Sequence, residues 1–376
     1  MTRIGLVANT DWYLYNFRLG LARYLREQGF EVILISPPGK YTDSFAQESF
    51  PWVEWRVGRQ SLSPWGELSA LRRLARLYRQ ETLDLVHQHT IKPVLYGSLA
   101  TRLVGSQAVV NSITGRGYIF LSQEPKALAL RQVVRPLYRL AFSRPDTAAI
   151  FENEEDRSYF ITSKIVPARR TWLIPGVGVD AERYLPTPEP PGQPVILFAS
   201  RMLWDKGVGV LVEAARILRQ STDLRVALVG EPDPGNPASI SPEQLRAWTA
   251  EGVVEWWGWQ ADMSQIYPQV NIVTLPTQYG EGVPTVLLEA AASGRPIVAS
   301  DIPGCRAVIH PEQNGLLVPP GDAHALAQAL NRLASDPDLR GRMGQAGRQI
   351  VLQKFTLSLV NQSTLNVYQD VLAHAH

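Results

Sequence analysis

The chain has 376 residues, too many for one ordinary core and enough for two domains. Hydrophobic residues at 45% and charged residues at 19% exclude a disordered or fibrous chain, and the net charge of +2 singles out no partner. One cysteine, Cys305, excludes an intramolecular disulfide and suits a reducing compartment.

Met1-Thr2-Arg3-Ile4 leads at once into a strand. There is no signal-peptide pattern and no apolar run of bilayer length, so a cytoplasmic protein is expected. The run Ile4-Gly5-Leu6-Val7-Ala8 ends at Asn9-Thr10-Asp11. A helical pattern over 14–28 follows, then Gly29 and the run Val32-Ile33-Leu34-Ile35. The cycle returns at Leu85-Val86, Ala108-Val109-Val110 and Ala148-Ala149-Ile150-Phe151. Apolar strands alternating with helices predict a parallel sheet covered on both faces. Residues 61–145 hold twelve Lys/Arg against four Asp/Glu. Much of that surplus lies on 71–79 and 126–144. In the first stretch Leu71, Leu74, Ala75 and Tyr78 share a helical face and arginines take most of the rest. Two readings stand side by side: helices packing leucines on a sheet beneath solvated arginines, and helices resting on an anionic membrane surface. No nucleic-acid partner is expected.

Segment 186–194 carries five prolines and a glycine and reads as an extended interdomain linker. After it the alternation restarts with Val195-Ile196-Leu197-Phe198, Val226-Ala227-Leu228-Val229, Ile272-Val273-Thr274-Leu275 and Pro296-Ile297-Val298-Ala299. The restart predicts two doubly wound α/β domains in tandem. Ligands bind beyond the carboxyl ends of such strands, and a cleft between the two domains is the natural site.

The strongest chemical signal is Glu281-Gly282-Val283-Pro284-Thr285-Val286-Leu287-Leu288-Glu289, after a strand and a loop. Pro284 suits the first turn of a helix and Gly294 its end. The amides of Thr285, Val286 and their neighbours then form an anion site suited to a diphosphate. Gly282 lets a ligand approach the backbone. Glu289 stands among apolar neighbours and needs partners, which ribose hydroxyls would supply. Glu281 in the loop could reach a transferred group. The second signal, Arg201-Met202-Leu203-Trp204-Asp205-Lys206-Gly207, places two cations at a strand's carboxyl end. There they can neutralise a departing diphosphate. Gly230 with Glu231, and Gly258-Trp259-Gln260, are candidates for reading a base. No cluster of metal-ligand spacing is present, so no metal and no bound cofactor is expected.

The Arg-x4-Lys-Gly element followed by Glu-Gly-x-Pro-x4-Glu-Ala resembles retaining glycosyltransferase family 4 over essentially the whole chain. The resemblance implies the GT-B fold: two tandem Rossmann-like doubly wound parallel-sheet domains facing a central cleft. It implies an N-terminal acceptor domain of residues 1–186, with 355–376 packing back on it, and a donor domain of residues 187–354. It assigns the donor diphosphate to Arg201 and Lys206, the ribose to Glu289 and the donor sugar to Glu281. It gives Gly282, Val283, Pro284 and Thr285 contacts with sugar and phosphates. In Asp84-Leu85-Val86-His87-Gln88-His89-Thr90, it points His89 toward the donor sugar and gives His87 a supporting role. Read without the family, either histidine is more readily a satisfied core residue.

Three further segments are similar to bacterial enzymes that extend polyprenyl-diphosphate-linked sugars: Asn9-Thr10-Asp11-Trp12 with Asn16-Phe17-Arg18, then Thr114-Gly115-Arg116-Gly117-Tyr118, and Ile174-Pro175-Gly176-Val177-Gly178-Val179-Asp180. Asn9, Thr10, Asn16, Arg18, Gly115 and Arg116 are the acceptor-side candidates. The first loop lacks the glycines many members carry, so side chains replace backbone there. The expected activity is retaining transfer of a hexose or N-acetylhexosamine from a nucleotide-sugar, a UDP-sugar, to a lipid-linked glycan in surface polysaccharide or glycoconjugate synthesis. The alternatives are a UDP-GlcNAc 2-epimerase-like enzyme and a catalytically idle nucleotide-binding protein.

Overall fold

The computed structural model describes residues 1–58, 64–105, 107–220 and 222–374. Residues 375 and 376, at the end of the segment expected to pack back, lie outside them. So do 61–63 and 106 of the basic region. The chain divides into two units, Met1–Val177 with Leu357–His376, and Gly178–Thr356.

Among the described residues the first unit holds a seven-stranded parallel sheet. Its strands are β1 (Arg3–Val7), β2 (Glu31–Ser36), β3 (Trp52–Glu54), β4 (Leu85–His89), β5 (Ala108–Ile113), β6 (Thr147–Phe151) and β7 (Thr171–Leu173). The order is β3-β2-β1-β4-β5-β6-β7. The second unit holds six strands: β8 (Val195–Ala199), β9 (Arg225–Val229), β10 (Glu255–Gly258), β11 (Ile272–Leu275), β12 (Ile297–Ser300) and β13 (Gly315–Val318). Their order, β10-β9-β8-β11-β12-β13, repeats the first pattern, and every pairing is parallel. Helices cover both faces, so the central strands are buried throughout, as their unbroken apolar runs require. The α/β doubly wound class expected from the alternation is present twice.

Both sheets reverse direction at one place, between β1 and β4 in the first and between β8 and β11 in the second. At such a switch point the two flanking loops diverge and leave a crevice beyond the carboxyl ends. The candidate residues gather there. Asn9 and Thr10 follow β1, and His89 ends β4. The segment from Arg201 to Lys206 follows β8, and the loop carrying Glu281 follows β11.

Two local features differ from expectation. The helical pattern over 14–28 is two helices, Asp11–Phe17 and Leu19–Glu27, broken at Arg18. The proline-rich segment belongs to the second unit and is tied down. Glu189 accepts from Arg340 at 2.7 Å and from Asn271 at 3.0 Å, while Arg295 donates to Thr187 at 2.8 Å. The helix Leu357–Ala373 belongs to the first unit, where Val360, Leu365, Val367, Tyr368 and Val371 join the core beside β5 and β6.

Candidate active site

The second unit builds its site from the two switch-point loops. Gly207 adopts φ +81°, and a Cβ there would lie 1.9 Å from the Pro276 carbonyl oxygen. Its missing side chain lets the loop after β8 close on the loop after β11. The Gln278 amide donates to Asp205 O at 2.9 Å, and the Thr277 hydroxyl donates to the same oxygen at 3.2 Å. This closure brings Lys206 onto Glu281: the ammonium bonds Glu281 Oε1, and Thr277 Oγ1 lies 3.1 Å from that oxygen. Both charged side chains are largely covered. Arg201 is more open, and its Nη1 donates to Asp233 Oδ2 at 2.7 Å. The loop around Asp233, which sequence reasoning left without a role, lies against the Arg201 segment. Met202 N donates to Glu231 O and Trp204 N to Ala238 O, at 2.9 and 2.8 Å.

Pro284 caps the helix Thr285–Ala292 with no side-chain capping bond. Leu287 N donates back to Pro284 O at 3.1 Å, leaving the first-turn amides of Thr285 and Val286 without an acceptor inside the helix. Positive charge thus concentrates at the helix start, beside Gly282 and the buried Val283. Gly304 supports this loop from below, since a Cβ there would meet Gly282 O at 1.7 Å. The helix ends in a Schellman motif: Arg295 N donates to Ala290 O, Gly294 N to Ala291 O, and Gly294 sits at φ +68°.

Glu289, a turn further on, accepts from Tyr267 Oη at 2.8 Å. Tyr184 stands close enough to the same carboxylate to favour its ionised form. Burial pushes Glu289 up to about 7; the two tyrosines and nearby Arg183 oppose it without cancelling it. The carboxylate therefore stands near its ionisation midpoint at neutral pH.

Gly230 follows β9 at φ +130° and is held on both sides. Its amide donates to Gly258 O at 2.8 Å, and its carbonyl accepts from Trp256 Nε1 at 2.8 Å. A ligand there meets at most the second lone pair of that carbonyl. Trp257 bonds the Glu255 carboxylate at 3.0 Å, while Trp259 is 54% exposed. Of the three clustered tryptophans, Trp259 is the most exposed.

In the first unit His87 is a satisfied core residue. Its ring nitrogens lie 2.5 Å from Tyr368 Oη and 2.7 Å from Ser112 Oγ. His89 is equally buried, yet neither of its ring nitrogens has a partner among the described residues, nor does the hydroxyl of Thr90. Thr90 carries φ +71°, a strained backbone for a β-branched residue. Burial, then His87 and Arg18, hold the His89 imidazole well below its usual pKa, so it is neutral. Arg18 is buried and donates to Tyr13 Oη at 3.1 Å. The other acceptor-side candidates are partly engaged. Thr10 caps its helix by accepting from Tyr13 N at 3.2 Å, and Asn16 donates to Trp12 O at 2.8 Å. Arg116, next to Gly115 at φ +126°, pairs with Asp156 at 2.6 Å. Asn9 lies beside Thr10, half-buried. Among the described residues no three His, Cys, Asp or Glu side chains gather as metal ligands.

The sequence matches the family model described as glycosyl transferases group 1 over residues 193–336, and the glycosyl transferase 4-like model over residues 3–152. It is 30% identical over 330 residues to an alpha-maltose-1-phosphate synthase of Mycolicibacterium smegmatis, covering 78% of this chain and 80% of that one. The chain is a family 4-like glycosyltransferase. It is also 27% identical, over 98% of its length and 99% of the relative's, to the N,N'-diacetylbacillosaminyl-diphospho-undecaprenol alpha-1,3-N-acetylgalactosaminyltransferase of Campylobacter jejuni. The fold matches the crystal structure of Anabaena Alr3699/HepE in complex with UDP and glucose. The TM-score is 0.79 and the identity 19%, over 98% of this chain and 99% of that one. The two parallel Rossmann-like units of this glycosyltransferase are the GT-B fold.

Several residues that shape the glycosyltransferase site were given no role by the sequence reading: Thr277, Asp205, Asp233, Gly304, Tyr184 and Tyr267. Gly207 was quoted as part of a motif but given no task. Each acts through a contact distant in the chain, and no local spacing announces such a contact. Gly207 offered the one available signal, a glycine between a strand-end loop and the apolar helix Val208–Leu218.

Proposed function

We propose that this glycosyltransferase moves a hexose or N-acetylhexosamine from a UDP-sugar, with retention, to a polyprenyl-diphosphate-linked glycan in bacterial surface polysaccharide or glycoconjugate synthesis. One observation carries the donor half. The second unit's switch point collects Lys206, Arg201, the amides of Thr285 and Val286, and Glu289, a set that fits a diphosphate joined to a ribose. The diphosphate departs into the cations and the helix start. These stabilise it more as its charge grows, and that difference lowers the barrier. Lys206 must then share its ammonium with a phosphate, and Glu281, held by Thr277, faces the transferred sugar. Same-face attack guided by the departing phosphate is preferred over a covalent step on Glu281. The cations do the work of a divalent ion, so transfer in EDTA should equal transfer in magnesium.

The acceptor half rests on the Campylobacter relative, whose name describes a lipid-linked acceptor. His89 supplies unpartnered ring nitrogens for the sugar, with Asn9, Thr10, Asn16, Arg18, Gly115 and Arg116 on the acceptor side. The protein works at the cytoplasmic face of the membrane. The helix Pro64–Gln80 buries Leu74, Ala75 and Tyr78 and turns Arg72, Arg73 and Arg76 outward, a geometry that serves a plain surface helix and a membrane-facing one alike. The helix Pro125–Ala141 favours the membrane, because exposed Leu128, Val133 and Leu140 share its surface with Lys126 and Arg139. No helix among the described residues is long and apolar enough to cross a bilayer. A screen of UDP-sugars with membrane extract as acceptor source tests the reading. Transfer to a lipid-extractable product with retained anomeric configuration is expected. Activity confined to water-soluble acceptors, or release of a free epimer, would replace it.

A further inference from the structure

We infer that Tyr267 and Tyr184 are positioning residues whose hydroxyls fix the Glu289 carboxylate for the donor's ribose. The inference rests on Glu289 being the ribose anchor.

A carboxylate on a helix packed into an apolar core can be kept in three ways: turned to solvent, paired with a cation, or given hydroxyl donors. Here the third dominates. Tyr267, fully buried in the short turn Tyr267–Gln269, donates its hydroxyl to Glu289 Oε2 at 2.8 Å, with Val286 O the more distant acceptor at 3.3 Å. Tyr184, also buried, comes from the segment ahead of the proline-rich stretch and stands beside the same carboxylate. The two rings meet edge to face, 5.7 Å apart at 78°. Each tyrosine is anchored through its own carbonyl by an arginine. Arg295 Nε donates to Tyr267 O at 3.0 Å, and Arg348 Nη1 donates to Tyr184 O at 2.9 Å. Arg183 lies over the Tyr184 ring at 5.7 Å and is paired to Asp262 at 2.8 Å. These are the charged and titratable groups around Glu289 among the described residues. None is a cation bonded to the carboxylate.

Such an arrangement does more than bury a charge. Burial pushes both phenols far up, so they stay protonated and can only donate to an ionised Glu289. The fixed Tyr267 donor, with Tyr184 packed against it, defines where the remaining carboxylate lone pairs point, and a ribose presents two vicinal hydroxyls able to fill them. The tyrosines also favour the ionised carboxylate that a ribose needs, against burial that favours the acid. Removing one should move the ionisation of Glu289 upward and carry donor affinity with it.

The test is equilibrium binding of UDP-glucose from pH 6 to 9 to the full chain and to Tyr267→Phe, Tyr184→Phe and Glu289→Gln. The diphosphate of UDP-glucose is esterified on both sides and does not titrate in this range. Wild-type affinity should rise through pH 7. In Tyr267→Phe the midpoint should move up by about one unit, weakening binding roughly fivefold at pH 7 and converging on wild type by pH 9. Donor KM should rise with kcat little changed, and Glu289→Gln should bind weakly with a flat profile. A purely structural tyrosine would lower the melting temperature and leave the profile in place. A wild-type profile in Tyr267→Phe, beside a flat and weak Glu289→Gln, would overturn the positioning role and keep the ribose anchor. Wild-type affinity in Glu289→Gln, or no binding by the wild type, would remove the anchor and the positioning role together. If Tyr267→Phe does not fold, Tyr184→Phe decides by the same readings.

Discussion

Glu289 was conspicuous in the sequence because its neighbours on the helix are apolar, and the need for partners followed from that alone. Their identity did not. Tyr267 stands 22 residues upstream and Tyr184 further still, and each reaches the carboxylate only through the fold. A consequence for stability follows. The folded carboxyl holds its proton up to about pH 7, whereas an unfolded glutamate releases it near pH 4.3. The folded state therefore binds more protons across that window, and Glu289 lowers stability progressively as pH rises through it. Glu289→Gln should be more stable than the wild type at pH 8, by about 1–3 kcal/mol, and equal to it at pH 4. Thermal melts of the unliganded proteins at the two pH values check the sign; a difference that grows toward acid pH contradicts it. Lys206 and Glu281 show the same limit of reading. The sequence presented them as separate donor contacts, and the structure makes them one ion pair bridging 75 residues. Lys206→Met should leave Glu281 uncompensated and weaken donor binding at least tenfold, measured as donor KM.

Elements were more legible than residues, and the omissions share a cause. The long central strands showed themselves as apolar runs. The strands β3, β7 and β13 did not, and each lies at a sheet edge, where a strand can be short and mixed in composition. The break at Arg18 was hidden because the apolar pattern continues across it; the kink serves a buried guanidinium rather than the helix. Loop closure was the other illegible feature. Gly207 joins the two switch-point loops by lacking a side chain, so Gly207→Ala combines a left-handed φ with a clash against the Pro276 carbonyl. It should cost about 2–4 kcal/mol of stability, read by chemical denaturation of the second unit, and should abolish donor binding if the loop separates. An alanine variant with wild-type stability would mean the loops close by another route.

At the scale of the whole chain, the restart of the strand–helix alternation told of two doubly wound units, and the repeated sheet order confirms that pattern. The contribution of the last helix could be foreseen only through the family resemblance. Leu357–Ala373 completes the core of the first unit, and Tyr368 closes on His87, ahead of the strained Thr90. Ending the chain at Thr356 should therefore unfold the first unit while the second, Gly178–Thr356, keeps a separate thermal transition. Calorimetry with one lost and one retained transition is the expected result, and two unchanged transitions would contradict it. In the proposed function the second unit's switch point seats a nucleotide diphosphate sugar between the cations after β8 and the helix after β11. The most direct test is the dissociation constant of UDP-glucose for the wild type, Lys206→Ala and Glu289→Ala. Losses of tenfold or more in each variant, with melting curves that show folded protein, are predicted. Near wild-type affinity in both would contradict the account.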